Sequence, residues 1–415
     1  MVRVMKISNI EIKNFKSFKD TNVDLNKFNI VIGESASGKS NFIEAFKFLK
    51  DVCDDYEKGI RIHGKGLLQN INLKSKKPTT IKLIFKEDNP SSGIKIPNKF
   101  NNNRNNWIYY NAIEYELCID FKDNDEILNE IVKLNYLIKD DDAGDVCQNA
   151  IFLKNNNGHV EVNFENDEDI EEEFFVPYAL LNIVNNNFNE EKGLLINSPL
   201  SSVPVPWSNH IRLFEFYNLD PKFSKMSPSP ESRDILSEYG DNLSYFLEKI
   251  LDNPSKKKEF MNLVSDLLPY IEDIKVFDLD NNRKIFGLLE KYNQEEIISP
   301  FVSDGTTNVL ALISTLYFGK GNIIFIEEPE RHIHPSLFIS MVSMMEEISS
   351  KNKQIILTTH SPELLNYCEL KDICLVSRDS EGFSVITKPS NNKTVQQFME
   401  DLSIGEIFLD GYWGE

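Results

Sequence analysis

The sequence predicts an α/β fold, in which a mixed or parallel sheet is flanked by helices, with an antiparallel β lobe near the N-terminus and an inserted, mainly helical subdomain. Three observations predict this fold class. A glycine-rich loop at residues 33–40 joins an apolar strand to an amphipathic helix. From residue 323 onward, apolar strands alternate with helices, which is typical of a parallel sheet covered on both faces. Between the glycine-rich loop and residue 323, the apolar residues of 243–251 and 260–268 recur every three or four positions, which predicts two helices.

The N-terminal quarter contains strands and one amphipathic helix. The strands predicted there are runs of apolar and β-branched residues, over 7–12, 23–25, 28–32, 80–86 and 113–121. A helix is predicted over 39–50, because Phe42, Phe46 and Leu49 fall on one face. The strand that ends before Gly33, the loop and this helix therefore follow one another directly.

The middle of the chain is rich in residues that favour loops. Asparagine-rich tracts occupy 101–106, 155–157 and 185–187, and six prolines punctuate 199–230. After residue 275, strands are predicted over 323–326, 354–358, 372–376 and 384–387, and helices over 335–348 and 362–366. The sequence therefore predicts three parts, namely an N-terminal lobe over 1–125, an inserted loop-rich and helical subdomain over 126–274 and a C-terminal lobe over 275–415.

Composition predicts a cytoplasmic protein that does not associate with membranes. Of the 415 residues, 41% are apolar and 27% are charged, which is ordinary for a globular protein. No apolar run approaches the roughly 18 residues that a membrane span needs, and no secretory signal is visible at the N-terminus. The five cysteines are scattered and odd in number, which argues against a disulfide framework and against a cysteine-built zinc site.

Charge is distributed unevenly along the chain. The net charge is −20, but residues 1–110 hold 20 Lys/Arg and 11 Asp/Glu, a net of 20 − 11 = +9. Phosphate backbones bind basic surfaces, so this quarter keeps a nucleic-acid-binding function open. The other interpretation is a solvated, lysine-rich surface without a partner.

The glycine-rich loop matches G-x-x-x-x-G-K-[ST] in full, with the residues Gly33, Glu34, Ser35, Ala36, Ser37, Gly38, Lys39 and Ser40. Its glycines let successive N–H groups point at phosphate oxygens, and Lys39 adds a positive charge for the β- and γ-phosphates. Ser40 offers a hydroxyl to Mg²⁺ at the start of a helix. The loop and the adjoining Asn41 are therefore predicted to bind ATP and Mg²⁺.

Two other strands end in residues suited to nucleotide chemistry. The strand at 323–326 runs into Glu327, placed to hold Mg²⁺, and Glu328, placed to deprotonate the attacking water. The strand at 354–358 leads to His360, whose imidazole can hydrogen-bond the γ-phosphate. The predicted catalytic residues are therefore Glu328, His360 and Lys39.

A second anion site is predicted at the start of the helix that contains 309–318. This helix begins with Ser303, Asp304, Gly305 and Thr306, and a serine with a glycine at a helix N-terminus suits an anion. One ATP does not require two phosphate sites in one chain. We therefore predict that this segment serves the nucleotide bound by another subunit.

Together, these motifs resemble the ABC-type ATPase heads of the SMC/RecF class, with a P-loop NTPase fold. The segments Glu327–Glu328–Pro329–Glu330, Ile333–His334–Pro335 and Thr359–His360–Ser361–Pro362 are most similar to ATPases of the overcoming-lysogenization-defect (OLD) type. The likeness covers about 1–125 and 275–415. It implies a homodimer, or a higher oligomer built from head-to-head dimers. In each dimer, one subunit contributes Lys39, Ser40 and Glu327 to each ATP and the other contributes Ser303 and Gly305. It also implies that His332 and His334 are structural or belong to a dimer-facing loop, and Gln69 is the candidate for the family's glutamine ligand of Mg²⁺.

Three functions remain open from the sequence. OLD-type nucleases carry a second, acidic nuclease domain, but only 55 residues follow His360, so we expect any effector to be a separate chain. The leading hypothesis is an ATPase that controls such an effector, a nuclease or a toxin, in antiphage defence or DNA repair. The alternatives are a nucleic-acid-binding repair clamp that uses Lys74, Lys76 and Lys77, and an ATP-stabilised scaffold. A membrane transporter head is excluded because its LSGGQ-type signature is replaced.

Overall fold

The computed structural model describes residues 5–64, 77–87, 93–97, 105–122, 125–140, 146–165, 194–197, 207–226, 235–280, 283–351 and 353–413. Gln69, Lys74 and Lys76 lie outside these residues. The chain forms two compact units: unit 1 comprises Met1–Asn26, Ala36–Leu213 and Val376–Thr387, and unit 2 comprises Lys27–Ser35, Phe214–Leu375 and Lys388–Glu415. The three-part division at 125 and 274 stays a prediction.

The described residues form strands along most of the chain, and most of the regular structure near the N-terminus is strand. In chain order they are β1 (Lys6–Phe15), β2 (Phe18–Asp24), β3 (Phe28–Gly33), β4 (Thr79–Lys86), β5 (Gly93–Pro97), β6 (Asn105–Lys122), β7 (Asp125–Asp140), β8 (Val146–Asn156), β9 (His159–Glu165), β10 (Phe214–Tyr217), β11 (Ile271–Asp280), β12 (Arg283–Glu290), β13 (Ile297–Ile298), β14 (Ile323–Glu327), β15 (Gln354–Thr359), β16 (Ile373–Arg378) and β17 (Ser384–Thr387). Each strand that the sequence predicted overlaps one of these.

The helices lie mainly in the second half of the chain. They are α1 (Lys39–Asp54), α2 (Tyr56–His63), α3 (Asn209–Arg212), α4 (Pro221–Ser224), α5 (Leu243–Leu251), α6 (Pro254–Leu267), α7 (Asp304–Ile313), α8 (Phe338–Lys351), α9 (Pro362–Leu365), α10 (Lys393–Phe398) and α11 (Ile404–Leu409). A π-helical turn, Ser314–Phe318, continues α7. Among the described residues, no helix combines the length and apolarity that crossing a bilayer requires.

Unit 2 contains a parallel sheet in the order β10–β14–β15–β3. All residues of β3 and β15 are buried, as expected for strands that are covered on both faces. Apolar side chains of α5, α6, α7 and α8 pack with this sheet in one core. A small antiparallel sheet, β11–β12–β13, completes the unit. The predicted parallel arrangement is therefore confirmed.

The sequence predicted a connecting loop over 199–230, but residues Phe214–Tyr217 of this segment form strand β10. It pairs in parallel with β14, and the ring of Phe216 stacks on Phe325 with centroids 4.6 Å apart. The strand has only four residues, and prolines and polar residues lie on both sides of it, so its hydrophobic pattern is too short to indicate a strand. Aromatic packing against β14 stabilises the strand instead.

Unit 1 contains the predicted antiparallel β lobe, in the order β2–β1–β4–β6–β7–β8–β9. Helix α1 packs against its first strands. The ring centroids of Phe42 and Phe18 are 6.5 Å apart, and those of Phe48 and Phe15 are 6.0 Å apart. The helix that follows the glycine-rich loop is therefore fixed to the β lobe by its apolar face.

The sequence did not predict the strands between 125 and 165, which it assigned to a loop-rich and helical insertion. On β7 the buried residues alternate as in a strand, and they are Leu128, Glu130, Val132, Leu134 and Tyr136. Glu130 interrupts the apolar pattern because its carboxylate is buried. It accepts four hydrogen bonds, from the Tyr115 hydroxyl (2.9 Å), Asn155 Nδ2 (3.1 Å) and the N–H groups of Leu195 (2.6 Å) and Ile196 (3.4 Å). A carboxylate whose hydrogen bonds are all made can lie in the core, at a position where the alternating pattern of a strand predicts an apolar residue.

Helices α1 and α2 are joined by a buried histidine between two carboxylates. His63 Nε2 lies 2.8 Å from Asp51 Oδ2, and His63 Nδ1 lies 3.2 Å from Glu44 Oε2. Burial opposes the charged imidazole, but the hydrogen bonds to Asp51 and Glu44 outweigh it and raise the pKa of His63. The same contact with His63, helped by Lys16, lowers the pKa of Glu44 to about 2.

We expect the stability of the protein to depend on pH through this cluster. Because the pKa of His63 is raised, its contribution is complete below the unfolded pKa of about 6.5 and is lost as the pH rises through the folded pKa. His63→Gln should therefore lower Tm more at pH 5.5 than at pH 9, in melting curves recorded at both. The exposed His159 provides the control, since replacing an exposed side chain by glutamine should change Tm little. If His63→Gln lowers Tm equally at the two pH values, the imidazole of His63 does not stabilise the fold through its positive charge.

Candidate functional site

Three parallel strands of unit 2 end at one edge of the sheet. The register pairs Glu327 of β14 with Thr358 of β15, and Thr359 with Ile32 of β3. Gly33, Glu327 and His360 therefore come together where these strands end. In open α/β sheets, ligands bind outside the carboxyl ends of the strands. This edge is the candidate active site.

Glu328 is held at this edge by its backbone and by its side chain. Its φ is +48°, an uncommon value for a non-glycine residue, and its N–H donates to Thr358 O at 2.9 Å. Oε2 accepts hydrogen bonds from Arg331 Nε (3.2 Å) and Nη2 (2.6 Å). Oε1 lies 3.5 Å from His360 Nε2. Two of the three predicted catalytic side chains, Glu328 and His360, are therefore neighbours.

Glu330 forms a second carboxylate contact with the His360 segment. Its Oε1 accepts hydrogen bonds from Thr359 Oγ1 (2.5 Å) and from the N–H of His360 (3.3 Å). Burial raises the pKa of Glu330. Sequence reasoning gave no role to Glu330, Thr359 or Arg331, although the first two lie inside the motifs it singled out. Their position beside Glu328 and His360 was the available signal.

The oxygen donors suit Mg²⁺. Glu327 is half-buried at the end of β14, and Ser40 is exposed in the first turn of α1. Mg²⁺ usually binds one or two protein oxygens together with substrate phosphates and waters, rather than an all-protein cage. Within the described residues, no cluster of three or more His, Cys, Asp or Glu could hold a metal by itself. The Glu327 carboxylate in unit 2 and the Ser40 hydroxyl in unit 1 are each of a kind that binds Mg²⁺ beside phosphates.

The Ser303–Thr306 segment forms the N-terminus of α7 in unit 2. Ser303 is the exposed N-cap, and its hydroxyl accepts from the N–H of Thr306 at 3.1 Å. The Thr306 hydroxyl lies 2.8 Å from Ser303 Oγ and 2.9 Å from the Tyr270 hydroxyl. Asp304 pairs with Lys225, whose hydrogen bond lowers the pKa of Asp304. The segment is therefore ordered by its own hydrogen bonds.

The start of α7 packs against the turn that follows Glu328. A Cβ on Gly305 would lie 2.7 Å from the carbonyl oxygen of His332, so only glycine fits there. Asn308 Nδ2 donates to Arg331 O at 2.7 Å. His334 caps the next turn through Nδ1, which accepts from the N–H of Ser336 at 3.2 Å. The Ser303–Thr306 segment and the turn at 331–332 thus form one packed structure within unit 2.

The phosphate loop runs from β3 into α1. Ala36 and Gly38 have φ values of +60° and +121°, so the backbone curls as a phosphate-binding loop requires. Lys39 is buried, with 6% of its surface exposed. Asn41 Nδ2 donates to Ser17 Oγ at 2.8 Å. Gly33, Glu34 and Ser35 belong to unit 2, whereas Ala36 to Asn41 belong to unit 1.

Named proteins similar to this chain include two nucleases and a phosphatase. The Old nuclease of Escherichia phage P2 is 22% identical over 425 residues, which cover 96% of this chain and 62% of the nuclease. Endonuclease GajA of Bacillus cereus (strain VD045) is 24% identical over 379 residues, 87% of this chain and 56% of GajA. An ATP/GTP phosphatase of Helicobacter pylori (strain ATCC 700392 / 26695) is 22% identical over 370 residues, 86% of each chain. The chain therefore spans less than two thirds of the two nucleases.

A family match covers most of the chain. Residues 28–366 match the family described as "AAA domain, putative AbiEii toxin, Type IV TA system". This range contains the phosphate loop, the Ser303–Thr306 segment and the edge that carries Glu328 and His360. The likeness to the phage nuclease confirms the OLD-type resemblance that the motifs indicated. The chain thus belongs to this AAA family, as an ABC-type ATPase head of the OLD kind.

Proposed function

We propose that the protein hydrolyses ATP to ADP and phosphate with the help of Mg²⁺. The observation that supports this most directly is the edge of the parallel sheet in unit 2, where Glu328 Oε1 and His360 Nε2 lie 3.5 Å apart. Phosphoryl transfer needs little covalent chemistry from the protein, which mainly positions the water and stabilises charge. A carboxylate beside an imidazole at the end of buried strands is suited to that task.

Each predicted residue has a distinct role in this proposal. The backbone N–H groups of the phosphate loop and Lys39 hold the β- and γ-phosphates, while Ser40 and Glu327 hold Mg²⁺. When bound, Mg²⁺ would supply positive charge against the charge that develops on the phosphate oxygens. Glu328 accepts the proton of the attacking water, and His360 hydrogen-bonds the γ-phosphate. Arg331 binds only Oε2 of Glu328, which orients Oε1 for the water.

The proposal extends to a dimer and an effector. Two copies would associate head to head when ATP is bound, with Ser303, Asp304, Gly305 and Thr306 of one copy contacting the nucleotide of the other. The dimer would control a separate effector, a nuclease or a toxin, in antiphage defence or DNA repair within the cytoplasm. The names of two relatives, a nuclease and an endonuclease, support a nuclease as the effector, and the name of the third, an ATP/GTP phosphatase, supports nucleotide hydrolysis.

Lys39→Ala tests the nucleotide site. The wild type should hydrolyse ATP in the presence of Mg²⁺, and the variant should bind ATP at least ~10-fold more weakly, because it loses a charge-assisted contact with phosphate. Binding can be measured by calorimetry with a non-hydrolysable ATP analogue, and turnover by phosphate release. Lys50→Ala, about three turns along the same helix, is the matched control and should behave as the wild type. Wild-type ATP affinity in Lys39→Ala would refute the site.

A further inference from the structure

The hairpin formed by β16 and β17 contacts the phosphate loop directly. Arg378, the last residue of β16, donates to the carbonyl oxygen of Ala36 from Nε (3.0 Å) and Nη2 (2.6 Å). Its Nη1 donates to Gly382 O at 2.9 Å, inside the hairpin turn. One guanidinium group therefore ties the loop to the hairpin. All these residues lie within unit 1.

Ser384, the first residue of β17, makes the second connection. Its hydroxyl lies 2.5 Å from Ser37 O and 2.7 Å from Ser17 Oγ. Its N–H donates to Ser17 O at 2.8 Å, which fixes β17 beside the N-terminal strands. The carbonyl groups of two consecutive loop residues, Ala36 and Ser37, are thus both turned toward the hairpin.

The orientation of these carbonyl groups determines where the next N–H groups point. A trans peptide is planar, and its C=O and N–H lie on opposite sides. Because Ala36 O faces Arg378, the N–H of Ser37 is directed away from the hairpin. Because Ser37 O faces Ser384, the N–H of Gly38 is directed away as well. Two successive N–H groups that point outward from a loop with positive φ values form an anion-binding concavity.

Gly38 shows how closely the hairpin approaches the loop. A Cβ at this position would lie 2.2 Å from Ser384 Oγ and 2.9 Å from Ser384 Cβ. The φ of +121° at Gly38 is also one that other residues rarely adopt. The second glycine of the motif therefore has two functions, since it provides the curl of the loop and leaves room for the Ser384 side chain.

We infer that Arg378 and Ser384 are positioning residues for phosphate binding, which hold the peptide groups of the loop with their N–H groups turned toward the phosphates. This inference rests on the proposed ATP site. Without the two side chains, the loop must order these peptides itself when ATP binds, at a cost in affinity. The chemistry of hydrolysis, assigned to Glu328 and His360, is not affected.

The test measures the KM for ATP and kcat of Arg378→Met and Ser384→Ala. Arg378→Met keeps an unbranched apolar side chain, and Ser384→Ala removes only the hydroxyl. We expect KM to rise about five- to tenfold in each variant, the equivalent of one lost hydrogen bond, while kcat stays within about twofold. Arg378→Lys should recover part of the affinity, because an ammonium group can still donate to Ala36 O.

The matched control breaks another contact of the same hairpin. Lys19 Nζ lies 2.7 Å from Glu381 Oε2 and does not contact the loop, so Lys19→Met should leave KM unchanged. If Arg378→Met lowers Tm strongly, the test relies on the KM values of Ser384→Ala and Arg378→Lys instead.

Two results would overturn the inference. One is a wild-type KM in both Ser384→Ala and Arg378→Met, and the other is an equal rise in KM for Lys19→Met. If the wild type fails to hydrolyse ATP at all, the proposed function itself is refuted. If the wild type hydrolyses ATP and the hairpin variants have the same KM as the wild type, only the inference about Arg378 and Ser384 is refuted.

Discussion

Glu328→Gln is expected to lower the rate of ATP hydrolysis by about 10²–10⁴-fold, the contribution of a positioned general base. Glutamine has the size and shape of glutamate and can still accept a hydrogen bond from Arg331, so the turn at 328–332 should keep its conformation. The amide cannot take a proton from water, and this difference alone should slow the reaction. ATP binding should therefore remain at the wild-type level.

Glu347 provides a matched control for this substitution. Its carboxylate pairs with Lys351 at 2.6 Å, as that of Glu328 pairs with Arg331 at 2.6 Å, but it lies on the surface of α8. Glu347→Gln should hydrolyse ATP at the wild-type rate. Single-turnover phosphate release separates the chemical step from product release. Unchanged hydrolysis in Glu328→Gln would remove Glu328 from the role of base.

The parts of the fold that could be predicted are those with a strong local pattern. The apolar residues of 28–32, the glycines after them and the amphipathic face of α1 all lie within about 25 residues, and each element was found. The same holds for β14 and β15, whose buried residues form continuous apolar runs. Parallel strands that end at one edge then place Gly33, Glu327 and His360 together without further information.

The contacts that escaped prediction join residues far apart in the sequence. Arg378 is 342 positions from Ala36, and Ser384 is 347 positions from Ser37. An arginine at the end of a strand has no local pattern that distinguishes it from a solvated arginine. In the sequence, Glu130 cannot be distinguished from an exposed carboxylate, because its four hydrogen-bond donors come from residues 15 to 66 positions away.

The turn after Glu328 shows how the packing within unit 2 could connect hydrolysis with association. It carries Glu328 at one end, and at the other His332 O lies close enough to Gly305 to exclude any side chain there. Asn308 Nδ2 holds the same turn through Arg331 O. A shift at the Ser303–Thr306 segment would therefore reach Glu328, the proposed base of the same subunit, through direct contacts. Association would affect Glu328 in this way if the segment contacts the second copy.

Ser303→Arg is expected to abolish ATP-dependent dimerisation while each copy still binds ATP. Ser303 is exposed, and its hydroxyl lies at the N-terminus of α7, where a phosphate of the partner's nucleotide would be accommodated. An arginine side chain would occupy that space. The mass of the Glu328→Gln protein with ATP and Mg²⁺, measured by light scattering, should double, and Ser303→Arg in the same background should remain monomeric.

Loss of the helix cap must be separated from loss of the interface. Ser403 caps α11 in the same way, with its hydroxyl accepting from the N–H of Glu406, so Ser403→Ala costs about the same ~1 kcal/mol of stability. Ser403→Ala should still dimerise with ATP. A dimer of Ser303→Arg as stable as that of the parent would show that the serine-led segment does not face a partner's nucleotide, because a long cationic side chain cannot share a phosphate-sized space.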